Sequence, residues 1–175
     1  MHHPRTLQRP PDRRPLPPVE EGLDWGAAGW AGLSAGAAFI LLQTFVGVVF
    51  GAGGKMEAVR RLASVALGEA VLSEGEPFTV LVFFAAAAVH IPLSLIYARV
   101  LAAMIHGMEA TRALAAGAAF GAGLYLLNYH LISRFFPWFV SDQGPAAFLA
   151  HLVFGLLAAG VYTSLTRRKR AGAPP

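Results

Sequence analysis

Three histidines lie in stretches of the chain that otherwise contain no acidic or basic side chain. His90, His130 and His151 carry imidazoles, which donate and accept hydrogen bonds and ligate metals in their neutral form. Such groups are costly in apolar surroundings and often mark a functional site there. The amides of Gln43 and Asn128 occur in similar stretches, so these five side chains form the candidate ligand-binding or polar cluster.

Two imidazoles on different helices at one depth can hold a haem b iron axially, or a copper or zinc ion. At about 1.5 Å per residue, His130 and His151 fall at nearly equal depth, and His90 lies roughly 10 Å deeper. His130 and His151 are therefore the candidate metal or haem ligands. The alternatives are a pocket for a quinone or lipid, and plain hydrogen bonding between helices.

Motifs of catalysis are missing from the sequence. It has no GxSxG, no P-loop and no HExxH, so no catalytic residue and no enzyme activity is predicted. The chain also has no cysteine, which excludes disulfides and thiolate metal sites.

Four long runs without charge supply the elements that must position these side chains. Of the 175 residues 55% are hydrophobic and 14% charged, whereas soluble domains carry about 25% charged residues. A helix needs about 20 apolar residues to cross a membrane. We therefore predict an all-α, antiparallel four-helix transmembrane bundle, with spans at about 26–50, 77–105, 112–134 and 145–166.

The segments outside the spans have distinct compositions. Residues 1–24 are rich in proline and predict a disordered or extended tail, and 167–175 form a basic tail. Residues 55–72 have apolar side chains at helical spacing, which indicates a short amphipathic helix in the first periplasmic loop. That helix either lies on the surface or folds over the mouth of the bundle. The short loop at 99–112 predicts that spans two and three are antiparallel neighbours.

Basic residues gather in the tails and in the second loop, and arginine and lysine collect on the cytoplasmic side. We therefore expect a multi-pass protein of the bacterial inner membrane with both termini in the cytoplasm. The net charge of +4 follows from this topology, so the bilayer and not nucleic acid is the expected partner. The predicted interface anchors are Trp25, Trp30, Arg134, Phe136 and Trp138.

Small residues recur every fourth position within the spans. They include Gly32 and Gly36 in the first, and Gly117 and Gly121 in the third, a spacing that lets helices approach closely within one chain or between copies. The main functional hypothesis is therefore association: an accessory subunit of a larger membrane complex, or a small homo-oligomer. The alternatives are an electron-transfer protein that uses the histidines, and an oligomeric solute transporter in which Pro92 beside His90 marks a broken helix.

The last two spans carry a recurring pattern. Asn128 and Tyr129 near the end of one helix, F-P-W-F at 136–139 and H-L-V-F-G at 151–155 resemble small four-span bacterial inner-membrane proteins of unassigned function. Some of these are automatically labelled sodium:proline symporters, although symporters of that name have many more spans. The resemblance covers about residues 124–162. It implies the topology, and no activity, substrate or cofactor.

Overall fold

The computed structural model describes residues 22–50, 56–73, 75–138 and 143–172. The predicted N-terminal tail therefore lies, up to residue 21, outside the described residues. All elements over these ranges are helical. The five α-helices are α1 (Trp25–Phe50), α2 (Glu57–Leu67), α3 (Val80–Ile105), α4 (Ala110–Leu126) and α5 (Pro145–Arg170).

Short turns of other helix types complete the fold. A 3-10 turn, Glu69–Leu72, follows α2. A π-helical turn, Leu127–Leu131, and a 3-10 turn, Ile132–Arg134, continue α4. The third span is therefore Ala110–Arg134, and α1, α3, this segment and α5 are each long and apolar enough to cross a membrane. The all-α four-helix prediction is confirmed, and the chain is a multi-pass membrane protein.

Two span ends differ from the predicted ones by three residues or more. Helix α3 begins at Val80 and not at 77, because the hydroxyl of Thr79 accepts a hydrogen bond from the Val82 amide at 3.3 Å and caps the helix. Helix α5 ends at Arg170 and not at the predicted residue 166. Its last turn is entirely basic, and cations at a helix C-terminus interact favourably with the helix dipole.

Glycines bring the long helices into backbone contact. A Cβ built on Gly155 would collide with the carbonyl oxygen of Gly117, and one on Gly121 with the carbonyl of His151, so α4 and α5 touch along this line. A Cβ on Gly32 would lie 2.9 Å from the Ser94 carbonyl oxygen, which places α1 equally close to α3. The small-residue faces therefore serve packing within the chain.

The four spans form an open ring. Helix α4 packs along α5, α5 along α1, and α1 along α3, whereas α3 and α4 meet far less extensively. The short loop does join α3 to α4 directly, so these two helices follow one another in the chain and run in opposite directions. Their main packing partners are nevertheless other helices, and a seam remains between them.

Helix α2 folds over one end of the bundle. Its Ala63 packs against Val82 and Ala86 of α3. Its other attachment is to the segment after the third span, where the Trp138 indole donates to the Ser64 hydroxyl at 2.8 Å and Arg61 donates to the Trp138 carbonyl at 3.1 Å. Of the two placements expected for this amphipathic helix, the structure shows the one over the mouth.

At the opposite end, an ion pair joins the first span to the last. The Lys169 ammonium lies 2.6 Å from the Asp24 carboxylate, which also caps α1 by accepting from the Ala27 amide at 2.9 Å. The hydrogen bond from Lys169, followed by that from Ala27, holds the pKa of Asp24 below its ordinary value of 3.8.

Candidate functional site

A cavity of about 250 Å³ lies inside the bundle beneath α2. All five α-helices and the segment after α4 contribute to its wall. Most of the lining is apolar, and its polar side chains come from α1, α2, α3, α5 and the segment after α4. Those polar side chains are Gln43, Arg61, His90, Ser94, Tyr97, Asn128, Tyr129 and His151.

A chain of hydrogen bonds crosses the cavity wall from α3 to α5. Nδ1 of His151 donates to the Ala147 carbonyl at 2.7 Å, because a carbonyl oxygen can only accept. Nε2 of His151 is therefore the acceptor, and it binds the Asn128 amide nitrogen at 2.9 Å. The Asn128 oxygen accepts from the Tyr97 hydroxyl at 3.5 Å. The network fixes one neutral tautomer of His151 and one orientation of Asn128.

The His151 ring is enclosed by other rings as well as hydrogen-bonded. Phe39 meets it edge-on with ring centroids 4.9 Å apart, and Tyr125 and Tyr129 contact it at 5.8 and 5.9 Å. His151 is 4% exposed. Such packing holds the imidazole in one position, so the wall of the cavity is rigid at this point.

His90 makes a second connection, between α3 and α1. Its Nε2 donates to the Gly36 carbonyl at 2.9 Å, and the Ser94 hydroxyl lies 3.4 Å from the same nitrogen. Gly36 allows this bond, since a Cβ there would lie 2.6 Å from the Ser94 hydroxyl oxygen. His90 and His151 both line the cavity, with the Phe39 ring in contact with each.

The π-helical turn keeps one row of side chains on the cavity. Leu124, Asn128, Ile132 and Phe136 are spaced by four and all line it. In an α-helix such a row drifts by about 40° at each step, or about 120° over three steps. A π turn holds more residues per turn than an α-helix does. The π turn here therefore offsets that rotation and keeps the four side chains on the cavity side. The Tyr129 carbonyl within it accepts from Ser133 and Gln143, each at 2.7 Å.

The structure does not bring His130 and His151 together. His130 is exposed on the outer surface of the π turn and does not line the cavity. Asn128 and His130 lie two residues apart, about 200° around a helix, so only one of them can face His151. Asn128 does so. Of the five predicted cluster residues, Gln43, His90, Asn128 and His151 line the cavity.

The predicted interface anchors divide into two groups. Trp25 and Trp30 are 57% and 65% exposed at the start of α1, and Arg134 is also exposed. Phe136 instead lines the cavity, and Trp138 is hydrogen-bonded to α2. These two rings face inward because α2 covers the end of the third span and offers them a partner there.

Both ring nitrogens of His151 are engaged within the chain, so a metal at Nε2 would have to displace Asn128. Over the described ranges no group of three or more His, Asp and Glu side chains is placed to hold a metal ion. The geometry therefore gives no support to haem or metal ligation by His130 and His151. Helix α3 also runs without interruption through Pro92, so the broken helix expected of a transporter is not found there.

Phe39 and Arg61 are site residues that the sequence did not reveal. Phe39 is one apolar residue among many in α1, and nothing in the sequence distinguishes it. Arg61 did carry a signal, because it stands three residues after Ala58 and four before Val65, which is the spacing of one helix face. Its guanidinium pairs with Glu57 at 3.0 Å at the edge of the cavity.

Comparisons with protein-family models, with curated proteins and with solved structures find no match to this chain. The resemblance over 124–162 therefore stays a prediction.

Proposed function

We propose that this membrane protein binds a small, uncharged and mostly apolar molecule in the cavity beneath α2. The observation that carries the proposal is the cavity itself. Its wall is apolar, and a few polar side chains from different helices converge on it. This is the usual composition of a small-molecule site. The location at membrane depth selects ligands that dissolve in the bilayer.

The cost of polar groups within a membrane supports the same conclusion. Neutral side chains of this kind are common between membrane helices, where each interhelical hydrogen bond contributes about 0.6 kcal/mol on average. That contribution alone does not explain a space of about 250 Å³ beside them. An empty cavity loses dispersion contacts along its whole lining, and a bound molecule restores them.

One of the features that motivated the association hypothesis, the small-residue faces, is used for packing within the chain. Gly32 and Gly36 pack on α3, and Gly117, Gly121 and Gly155 join α4 to α5. An accessory role, or assembly with copies of this chain, stays a prediction with no surface assigned to it.

The proposal includes the bacterial inner membrane and cytoplasmic termini. Arg99, Arg112 and the basic last turn of α5 are the charges that support this orientation under the positive-inside rule. A reporter enzyme fused after Arg170 tests it: activity characteristic of the cytoplasm is expected, and periplasmic activity would reverse the orientation.

The binding proposal is tested by filling the cavity. Ala58 lines it from α2, and Ala66 on the same helix is exposed. The wild type, Ala58→Phe and Ala66→Phe are purified in mild detergent, and their organic extracts are compared by mass spectrometry. A small molecule should be enriched in the wild type and in Ala66→Phe and be lost from Ala58→Phe. Identical extracts from all three proteins would overturn the proposal.

A further inference from the structure

One polar side chain on the cavity is left without an internal partner. Gln43 lies within α1 and lines the cavity, and no described residue forms a hydrogen bond with its side chain. Its amide has two donor hydrogens and an acceptor oxygen. An unsatisfied amide is costly in a membrane. Asn128 and His151, by contrast, satisfy each other.

We infer that Gln43 is the hydrogen-bonding anchor for the bound molecule. We further infer that the cavity takes an uncharged ring compound carrying a carbonyl or hydroxyl oxygen, of the quinone type. This rests on the proposed function and adds to it the class of ligand and the residue that recognises it. Gln43 can donate to a ring carbonyl and accept from a ring hydroxyl, so the anchor suits either group.

The charges around the cavity favour an uncharged ligand. Arg61 is the one arginine or lysine on the described lining, and Glu57 lies 3.0 Å from it. Among the described lining residues there is no carboxylate. An ionised ligand would therefore lose its hydration without gaining an available countercharge.

The lining also favours a ring over an acyl chain. Five phenylalanine and tyrosine rings contribute to its described part, and aromatic rings gain specific edge-to-face and offset contacts with another ring. The Phe39 ring already packs edge-on to His151 in this way. The volume of about 250 Å³ accommodates a ring head group and is below the range of roughly 300–1,000 Å³ typical of sites for drug-sized molecules. The lining rings are Phe39, Tyr97, Tyr129, Phe136 and Phe154.

The test compares two neighbouring substitutions in α1. Gln43→Leu replaces the amide with an apolar side chain of similar size, so the span remains apolar. Thr44→Val is the control, because Thr44 does not line the cavity. Each full-length protein in detergent is equilibrated with decylubiquinone, 1-monoolein or oleate, and bound probe is quantified after gel filtration in the presence of that probe.

Decylubiquinone should bind the wild type at least tenfold more tightly than the other two probes. Gln43→Leu should weaken that binding roughly fivefold to tenfold, as expected for one neutral hydrogen bond, and Thr44→Val should leave it unchanged. Wild-type affinity in Gln43→Leu, with binding still lost in Ala58→Phe, would overturn the anchor and leave the proposed function standing.

The remaining outcomes separate the ligand class from the site. Tighter binding of 1-monoolein or oleate than of decylubiquinone would overturn the ring class while supporting a lipid site. If the wild type binds none of the three probes and its extract holds no enriched molecule, the proposed function fails, and this inference fails with it.

Discussion

Replacing Gly155 by alanine should destabilise the protein, whereas the same replacement at Gly123 should not. A Cβ at 155 would collide with the Gly117 carbonyl oxygen and lie 2.9 Å from the Gly121 amide nitrogen. Both are backbone atoms, which cannot move aside by a change of rotamer. A Cβ added to Gly123 would have no atom within 4 Å, so an added methyl there meets open space.

The size of the effect follows from the contact. Ordinary separation of about 3.5 Å requires α4 and α5 to move apart by about 1.5 Å at this point, and a gap of that size forfeits about half or more of each dispersion contact. Overpacking costs typically about 1–3 kcal/mol, and rigid backbone places this site near the upper end. Alanine regains about 1 kcal/mol of helix propensity, so the net loss is about 2 kcal/mol.

The assay is equilibrium unfolding of both variants in mixed micelles with a rising fraction of denaturing detergent. Gly123→Ala should gain up to about 1 kcal/mol, so the two variants should differ by about 3 kcal/mol. Chemical cross-linking at matched concentration provides the control for association. Equal stability of the two variants, or a loss of cross-linked dimer without a loss of stability, would refute close packing of α4 on α5 within one chain.

Three further predictions concern other parts of the fold. Asn128→Leu should lower the free energy of unfolding by about 1–3 kcal/mol, because it leaves the partner groups on α3 and α5 unsatisfied. His130→Leu on the outer surface should change the same free energy by less than about 0.5 kcal/mol. Equal melting temperatures of the two variants would contradict the hydrogen-bond network. Asp24→Asn keeps the helix cap and loses the ion pair with Lys169, so it should cost less than about 1 kcal/mol at pH 7, and Asp24→Ala should cost about 1 kcal/mol more. Because the pKa of Asp24 is lowered in the folded state, the ion-pair contribution is present above its ordinary pKa and is lost as the pH falls through the lowered one. A wild-type advantage over Asp24→Asn that does not shrink as the pH is titrated downward from 7 would contradict this. Trp138→Phe removes the indole donor to α2 and should speed exchange of bound probe, measured by stopped flow, while an unchanged rate would show that α2 does not cover the route to the cavity.

The membrane architecture is readable from the sequence because it depends on composition. Charge-free runs identify the spans, and the apolar spacing in 55–72 identifies α2. Such signals are averaged over many residues, so errors of a few positions at the ends, as at Val80 and Arg170, leave the fold unchanged.

The site is only partly predictable, because it depends on direction as well as depth. Equal depth pairs His130 with His151 but says nothing about the side of the helix that each occupies. The spacing of Asn128 and His130 does contain that information. The π turn that aligns Asn128 with Phe136 has no counterpart in the sequence pattern, since apolar periodicity presumes an α-helix. Arg61 and Ser64 are far from Trp138 in the chain, so only the fold reveals the hydrogen bonds that join them.

The π-helical turn at Leu127–Leu131 also decides where the third span can lose a residue without losing the cavity. If one residue were deleted within the turn and the segment returned to regular α-helix, Ile132 and Phe136 would lie within about 20° of Leu124, so both would stay on the wall. Deletion of one residue between Gly121 and Leu124 would instead rotate the cavity residues by about 100° against the glycine that packs on α5. Two deletions that leave nearly the same hydropathy profile can therefore differ in whether they preserve the binding site.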